Sequence, residues 1–355
     1  MRSPYLVHHF LSHAAQERPD SPFLVHEGRT TSYGEIEAAS NHLARALLSN
    51  GLARGDRVGL SARNSRFYVE CYYAILKAGG IAVPLSAGDD GAALARSLRS
   101  CEARMLIAGS LQTGEAIPAS LSGVRVLACD DACAAESAEP PAGPPLTDLD
   151  VASIIFTSGS TGTPLGATLS HLNIVSNTRS IVEYLGLTAA DRMLAVLPFH
   201  YVYGKSLLNT HAAAGATVVI ENRFLYPNTA LDSLENEACM GLAGVPSTFA
   251  ILVNRSNLAD RELPQLRYVT QAGGPMSPEL TRRLMEAIPG KRVVVMYGAT
   301  EASARLSYLD PDELPRKIGS IGKAIPNVEL RVLREDGTEA EVGEVGEIVA
   351  RGSNL

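Results

Sequence analysis

Apolar positions along the chain switch between a 3.6-residue and a two-residue spacing. Over residues 33–48, Ile36, Leu43 and Leu47 share one face and Gly51 follows, which predicts an amphipathic helix. Residues 5–18 read as a shorter helix, and Glu27-Gly28 as a hairpin turn between strands at 23–26 and 30–32. Strands at 57–60, 81–85, 104–108 and 124–129 then alternate with helices at 67–76 and 92–100. That alternation predicts a parallel sheet with helices on both faces. Residues 136–147 are proline-rich and aperiodic, a surface connection into a buried strand carrying Val151, Ile154 and Ile155.

A second α/β unit follows. Ile174, Thr178, Ile181 and Leu185 mark a helix face ending at Gly186, with further helices at 248–253 and 278–287. Strands are expected at 193–197, 217–220, 240–243, 268–270 and 292–296. From residue 327 the period becomes two, with Asp336-Gly337 as a hairpin turn and a strand at 346–350. The fold class expected is α/β: two stacked, doubly wound sheets with flanking helices, plus a small partial antiparallel β-barrel. The boundaries expected are 1–311 for the two α/β lobes and 312–355 for the barrel lobe.

Between the strand at 151–155 and a helix start at Ser170-His171-Leu172-Asn173 lies Phe156-Thr157-Ser158-Gly159-Ser160-Thr161-Gly162-Thr163-Pro164-Leu165-Gly166. Its glycines let backbone N–H groups approach a ligand, and its hydroxyls add donors, so it reads as a loop that holds polyphosphate. It is not a Walker loop. Pro164 stands where the second glycine belongs, and no Lys-Ser/Thr pair follows.

Three more segments follow strands: Leu197-Pro198-Phe199-His200-Tyr201-Val202-Tyr203-Gly204, Gln271-Ala272-Gly273-Gly274-Pro275-Met276, and Tyr297-Gly298-Ala299-Thr300-Glu301. Ligands of open α/β sheets bind outside the carboxyl ends of strands. A fourth segment is Gly319-Ser320-Ile321-Gly322-Lys323-Ala324-Ile325-Pro326-Asn327. In this order and spacing the set resembles the adenylate-forming superfamily of acyl-CoA synthetases, peptide-synthetase adenylation domains and luciferases, over essentially the whole chain.

The resemblance implies an acid–thiol ligase that forms an acyl-adenylate from a carboxylic acid, ATP and Mg²⁺. It then passes the acyl group to the thiol of CoA or of a phosphopantetheine on a carrier protein. It implies that Thr157, Ser158, Gly159, Ser160, Thr161 and Gly162 meet the ATP phosphates. Gly273, Gly274 and Pro275 would wall the adenine slot opposite Tyr297, with Gly298 and Ala299 beside it. Thr300 would bond the α-phosphate and Glu301 would ligate Mg²⁺, making Thr157, Thr300 and Glu301 the catalytic set. The acid pocket would be lined by His200, Tyr201, Gly204, Lys205, Gly244, Val245 and Met276. His200 reads either as an aromatic gate or as a packed core histidine. Lys205 reads either as a partner for a distal acidic group or as a solvated or structural charge.

Two departures stand out. Where the phosphate loop of such enzymes carries lysine, this chain has Leu165, which favours binding of an acyl-adenylate over binding of ATP. The chain also ends at Leu355, before the small lid domain such enzymes carry, so it reads as a large N-terminal domain. Three functions therefore compete: a complete adenylating ligase, a relative that only thioesterifies a preformed acyl-AMP, and a non-catalytic nucleotide binder.

Composition narrows the rest. With 31 Lys and Arg against 38 Asp and Glu the net charge is −7, which argues against nucleic acid or anionic membrane as partner. No run approaches the ~20 apolar residues of a membrane span, and His8, His9 and Ser12 interrupt any export signal, so the expected location is cytoplasmic. The five cysteines are scattered away from zinc spacing. His9 and His13, one helical turn apart, lack a third ligand. No G-x-G-x-x-G follows the first strand, which disfavours a dinucleotide fold.

Overall fold

The computed structural model describes residues 4–109, 123–128, 139–157 and 165–355. After α1 (His8–Glu17), β1 (Pro22–His26) and β2 (Arg29–Ser32) form the expected hairpin. Glu27 and Gly28 turn it at φ of +51° and +76°, the left-handed pair that matches strand twist. Ser32 then caps α2 (Tyr33–Ser49) in a reciprocal pair with Glu35.

The first α/β unit runs β3 (Arg57–Ser61), α3 (Arg66–Lys77), β4 (Ile81–Leu85), α4 (Gly91–Ser100), β5 (Met105–Ala108), β6 (Arg125–Ala128), β7 (Val151–Thr157) and β8 (Leu165–Ser170). Among the described residues these strands form a six-stranded sheet in the order β6-β5-β3-β4-β7-β8. Here the structure departs from expectation. The Gly/Ser stretch does not lead from strand to helix but joins antiparallel strands, Thr157 lying opposite Leu165 and Phe156 opposite Gly166. Ser170 ends β8 and caps the next helix, so the predicted helix start is right and the strand before it was hidden. Glycine, alanine and threonine in Leu165–Ser170 give no apolar alternation to read.

The second unit runs α5 (His171–Leu185), β9 (Arg192–Ala195), α6 (Val202–Ala214), β10 (Thr217–Ile220), α7 (Pro227–Asn236), β11 (Gly241–Gly244), α8 (Pro246–Arg255), β12 (Tyr268–Gln271), α9 (Pro278–Ala287), β13 (Arg292–Tyr297), β14 (Ser307–Leu309) and β15 (Lys323–Ala324). With β1 and β2 they make a nine-stranded sheet among the described residues, ordered β15-β14-β13-β12-β11-β9-β10-β1-β2. The strands from β13 to β1 are parallel; β2, β14 and β15 are antiparallel edges.

The two sheets stack through one shared core. Residues of α1, α2, α3, α5 and α6 fill it, with Tyr33, Tyr68, Tyr72, Tyr73 and Phe199 fully buried. A helix enclosed on all sides cannot show a polar face, and α6 is such a helix, buried from Tyr203 to Ala212. The outer face of the larger sheet is covered by α7, α8 and α9, and that of the smaller by α4. The expectation of two stacked, doubly wound sheets therefore holds.

The expected barrel does not emerge among the described residues. β16 (Val328–Leu333) and β17 (Glu347–Gly352) form a two-stranded ribbon, while β15 is bonded into the large sheet. Two strands cannot close, and Val332 and Ile348 stay exposed. Cys71 and Cys239 are buried, and burial pushes the Cys239 thiol up to about 12. Among the described residues no helix is long and apolar enough to cross a membrane, and the His9 and His13 rings simply stack at 5.9 Å.

Candidate active site

The parallel register sets the site. Gln271 at the end of β12 lies between Gly244 of β11 and Val295 of β13, so the turns beyond β12 and β13 leave the sheet side by side. Chain order reverses one strand away, between β9 and β11. From β9 the chain goes outward to β10, then crosses back to β11 and on to β13, leaving a crevice where ligands of such sheets bind.

The two turns wall a cleft of about 530 Å³. One side is Gly273, Gly274, Pro275 and Met276; the other is Tyr297, Gly298, Ala299 and Thr300. Tyr203 from α6, Arg305 and Ile321 complete it, the last from the glycine-containing fourth segment. Each turn owes its shape to one glycine. Gly273 has φ +84°, and a β-carbon there would sit 3.0 Å from Val245 Cγ1. A β-carbon on Gly298 would lie 2.0 Å from the Ala304 carbonyl oxygen, so the returning chain presses directly on its backbone. The Gln271 side-chain amide donates to Gly274 O at 2.7 Å and pins the first turn.

A flat, glycine-floored slot facing a tyrosine is a fitting wall for a purine, and the volume lies in the range of small-molecule sites. Thr300 opens a single 3-10 turn, Thr300–Ala302, and Glu301 beside it is exposed with no ion pair among the described residues. No cluster of three His, Cys, Asp or Glu forms a self-sufficient metal cage among the described residues. A lone exposed carboxylate suits Mg²⁺, which keeps most of its ligands as water and phosphate oxygen.

Ser158, Gly159, Ser160, Thr161 and Gly162 lie outside the described residues. Thr157, the last residue of β7, donates its hydroxyl to Leu165 O at 3.3 Å. Leu165 itself is 62% exposed, an apolar side chain standing in water at the base of the hairpin.

Of the residues expected around the acid, only Met276 lines this cleft. His200 and Tyr201 stand together beyond β9, rings 4.2 Å apart, with Tyr201 exposed. Burial lowers the His200 pKa; the Lys205 charge adds to this and Asp89 opposes it. Gly204 and Lys205 are absorbed into α6. A β-carbon on Gly204 would strike Pro198 O at 2.1 Å, so that glycine serves helix packing. Gly244 is buried at the end of β11, and Val245 packs under Gly273.

Lys205 is 2% exposed and donates to Ser153 Oγ at 2.8 Å, with Tyr72 as its ring neighbour at 5.4 Å. It therefore ties the two sheets together through β7 and is not solvated. Burial alone drops its pKa to about 7.

Sequence reading missed Arg305. It is 2% exposed, its guanidinium carbon lies 4.0 Å from the Tyr203 ring centre, and it donates to Met296 Sδ at 3.3 Å and Ala304 O at 2.9 Å. The one available signal was a cation set between Ala304 and Leu306, in an otherwise apolar approach to a strand.

Comparison with known proteins agrees with this geometry. The family described as AMP-binding enzyme matches residues 11–355. The indoleacetate–CoA ligase of Aromatoleum aromaticum is 30% identical, the match covering 92% of this chain and 66% of that protein. The acyl-CoA ligase SID4 of Ajellomyces capsulatus is 28% identical over 91% of this chain and 60% of its own length, so this chain spans about three-fifths of that relative. Among solved structures, o-succinylbenzoate CoA synthetase of Bacillus subtilis in complex with ATP and magnesium ion superposes with a TM-score of 0.87 at 27% identity, covering 98% of this chain and 71% of that one. VinN in complex with L-aspartate gives 0.84 at 26% identity, covering 98% and 89%.

Proposed function

The chain belongs to the AMP-binding enzyme family, and from that premise we propose that it is the nucleotide-binding portion of an AMP-forming acid–thiol ligase. The observation that carries this reading is the convergence of the β12 and β13 turns on one glycine-floored cleft. Residues 1–311 supply the two α/β lobes and 312–355 a small β appendage, and the ligase works in the cytoplasm. Adenine lies between Gly273–Pro275 and Tyr297, with Gly298 and Ala299 at its edge. Thr300 and the loop from Thr157 to Gly162 donate to the phosphates. Glu301 would hold Mg²⁺, which when bound would supply positive charge against the phosphates.

The chain needs no general base, because a carboxylic acid is already ionised at neutral pH. A carboxylate oxygen bonds to the α-phosphorus while the bridging α–β phosphoanhydride bond breaks and pyrophosphate leaves. Positioning and fixed donors supply the catalysis. A thiol of CoA or of a carrier protein then bonds to the acyl carbon, and AMP departs.

Pyrophosphate exchange with ATP, Mg²⁺ and a panel of acids tests the reading. Glu301→Gln is expected to lower exchange about 100-fold while leaving thermal stability unchanged, since the side chain is exposed. Absence of exchange together with absence of AMP binding in the wild type would remove the proposal. Exposed Leu165 favours a second reading, in which the chain accepts a preformed acyl-AMP and exchanges no pyrophosphate.

A further inference from the structure

Three Lys or Arg side chains are more than nine-tenths buried among the described residues: Lys77, Lys205 and Arg305. Lys77 is paired with Glu37 at 2.6 Å. Lys205 can discard its proton near neutrality. Arg305 can do neither, because guanidinium does not deprotonate in proteins and no described carboxylate reaches it. It lines the same cleft as Gly273 and Tyr297, so a group bound there can reach its guanidinium.

The backbone is bent to put it there. Ser303 and Ala304 have φ of +56° and +112°, unfavourable for residues with a β-carbon, and such strain persists only where the surroundings enforce it. Here Asn177 and Asn354 enforce it, both donating to Arg305 O, at 2.8 and 3.0 Å.

We propose that Arg305 is the specificity residue for the acid and that the acid carries a second anionic group, a carboxylate paired with this guanidinium. The proposal rests on the acyl-adenylate reading of the cleft and deepens it. The carboxylate that is activated loses its charge in the mixed anhydride, so it cannot neutralise Arg305 through the reaction. A second carboxylate keeps its charge throughout. The immediate partners of its guanidinium are the Tyr203 ring, Met296 and the Tyr184 hydroxyl, none of them a group assigned to phosphate. A planar, rigid fork of donors matches a carboxylate in two-point geometry, which the point charge of lysine does not. The role first considered for Lys205 thus falls to Arg305.

The test uses matched acids in the presence of saturating AMP and Mg²⁺, read by calorimetric titration: succinate against butyrate, adipate against hexanoate, terephthalate against 4-methylbenzoate. At least one dicarboxylate is expected to bind the wild type 10-fold or more tighter than its monoacid. Arg305→Met should erase that ratio to within twofold while AMP alone binds as before, and Arg305→Lys should restore part of it. Equal binding of every pair by the wild type overturns the proposal, and so does a preference that survives Arg305→Met. A uniform loss of AMP binding in Arg305→Met overturns it too, by assigning the guanidinium to the phosphate. The wild-type comparison decides the matter even if Arg305→Met does not fold. Failure of the wild type to bind AMP at all removes the nucleotide reading instead, and this proposal with it.

Discussion

The turns beyond β12 and β13 and the segment beyond β9 leave the same edge of the same sheet, yet they use their residues in opposite ways. The β12 and β13 turns expose backbone: Gly273 and Gly298 leave the main chain bare, and the cleft forms against it. The β9 segment passes through Pro198, Phe199, His200 and Tyr201 and then winds into α6, which lies between the sheets. Each region also holds one buried cation. Arg305 looks into the cleft with no carboxylate partner among the described residues, whereas Lys205 looks into the core and bonds Ser153 across the sheet interface. One site is arranged to receive a charge, the other to dispense with one.

The contrast breaks most directly at Gly298. A β-carbon 2.0 Å from Ala304 O has no flexible neighbour to displace, so Gly298→Ala should cost about 3 kcal/mol or more and abolish AMP binding. Urea unfolding and nucleotide titration read both effects. Tolerance of this change would mean that the cleft wall is soft.

Next in size is Lys205→Met. The folded-state pKa of about 7 lies below the usual lysine value, so above pH 7 the unfolded chain binds the proton and the folded chain does not. Stability therefore rises with pH from about 7 to about 10.5, and the penalty of burial is fully present below 7. Replacing the ammonium with a thioether should raise the melting temperature at pH 6 by the equivalent of a few kcal/mol, with the gain shrinking towards pH 10. A pH-independent effect would show that Lys205 keeps its charge by some other means.

Gly273→Ala is the intermediate case: strained φ plus one contact at 3.0 Å predicts about 1–2 kcal/mol and weaker AMP binding with the fold intact. The smallest effect is at Leu165. Leu165→Lys at this exposed position should change stability by less than about 0.5 kcal/mol. ATP affinity should rise a few-fold at low salt, and the gain should fade as salt is added. No gain in ATP binding would remove Leu165 as the reason for any deficit in adenylation.

Elements with clear periods were legible in the sequence. α2, α9 and the β1–β2 hairpin lie within a residue or two of their expected limits, because each carries its own capping or turn chemistry. α6 was not legible: it is buried from Tyr203 to Ala212, so no polar face alternates with an apolar one. β8 was obscured for the reverse reason, since Leu165–Ser170 shows only one buried side chain, Leu169. The meeting of the strand-end glycines and Tyr297 along one cleft was legible, because local backbone demands glycine in a recognisable order. His200, Gly204 and Lys205 were drawn towards the ligand by the same ordering, and packing took the last two into a helix.

Sequence alone determined the alternating α/β plan and the two turns that meet at the cleft, because glycine freedom, helix caps and hydrophobic period act over a few residues. Tertiary structure alone decided which buried cation faces a ligand. Lys205 and Arg305 are equally charged and equally hidden in the chain's listing of residues; only the stacking of two sheets and a strained turn at Ser303 and Ala304 turn one inward to Ser153 and the other into the cleft. Desolvation and the reach of a side chain depend on neighbours a hundred residues away, and no local pattern encodes them.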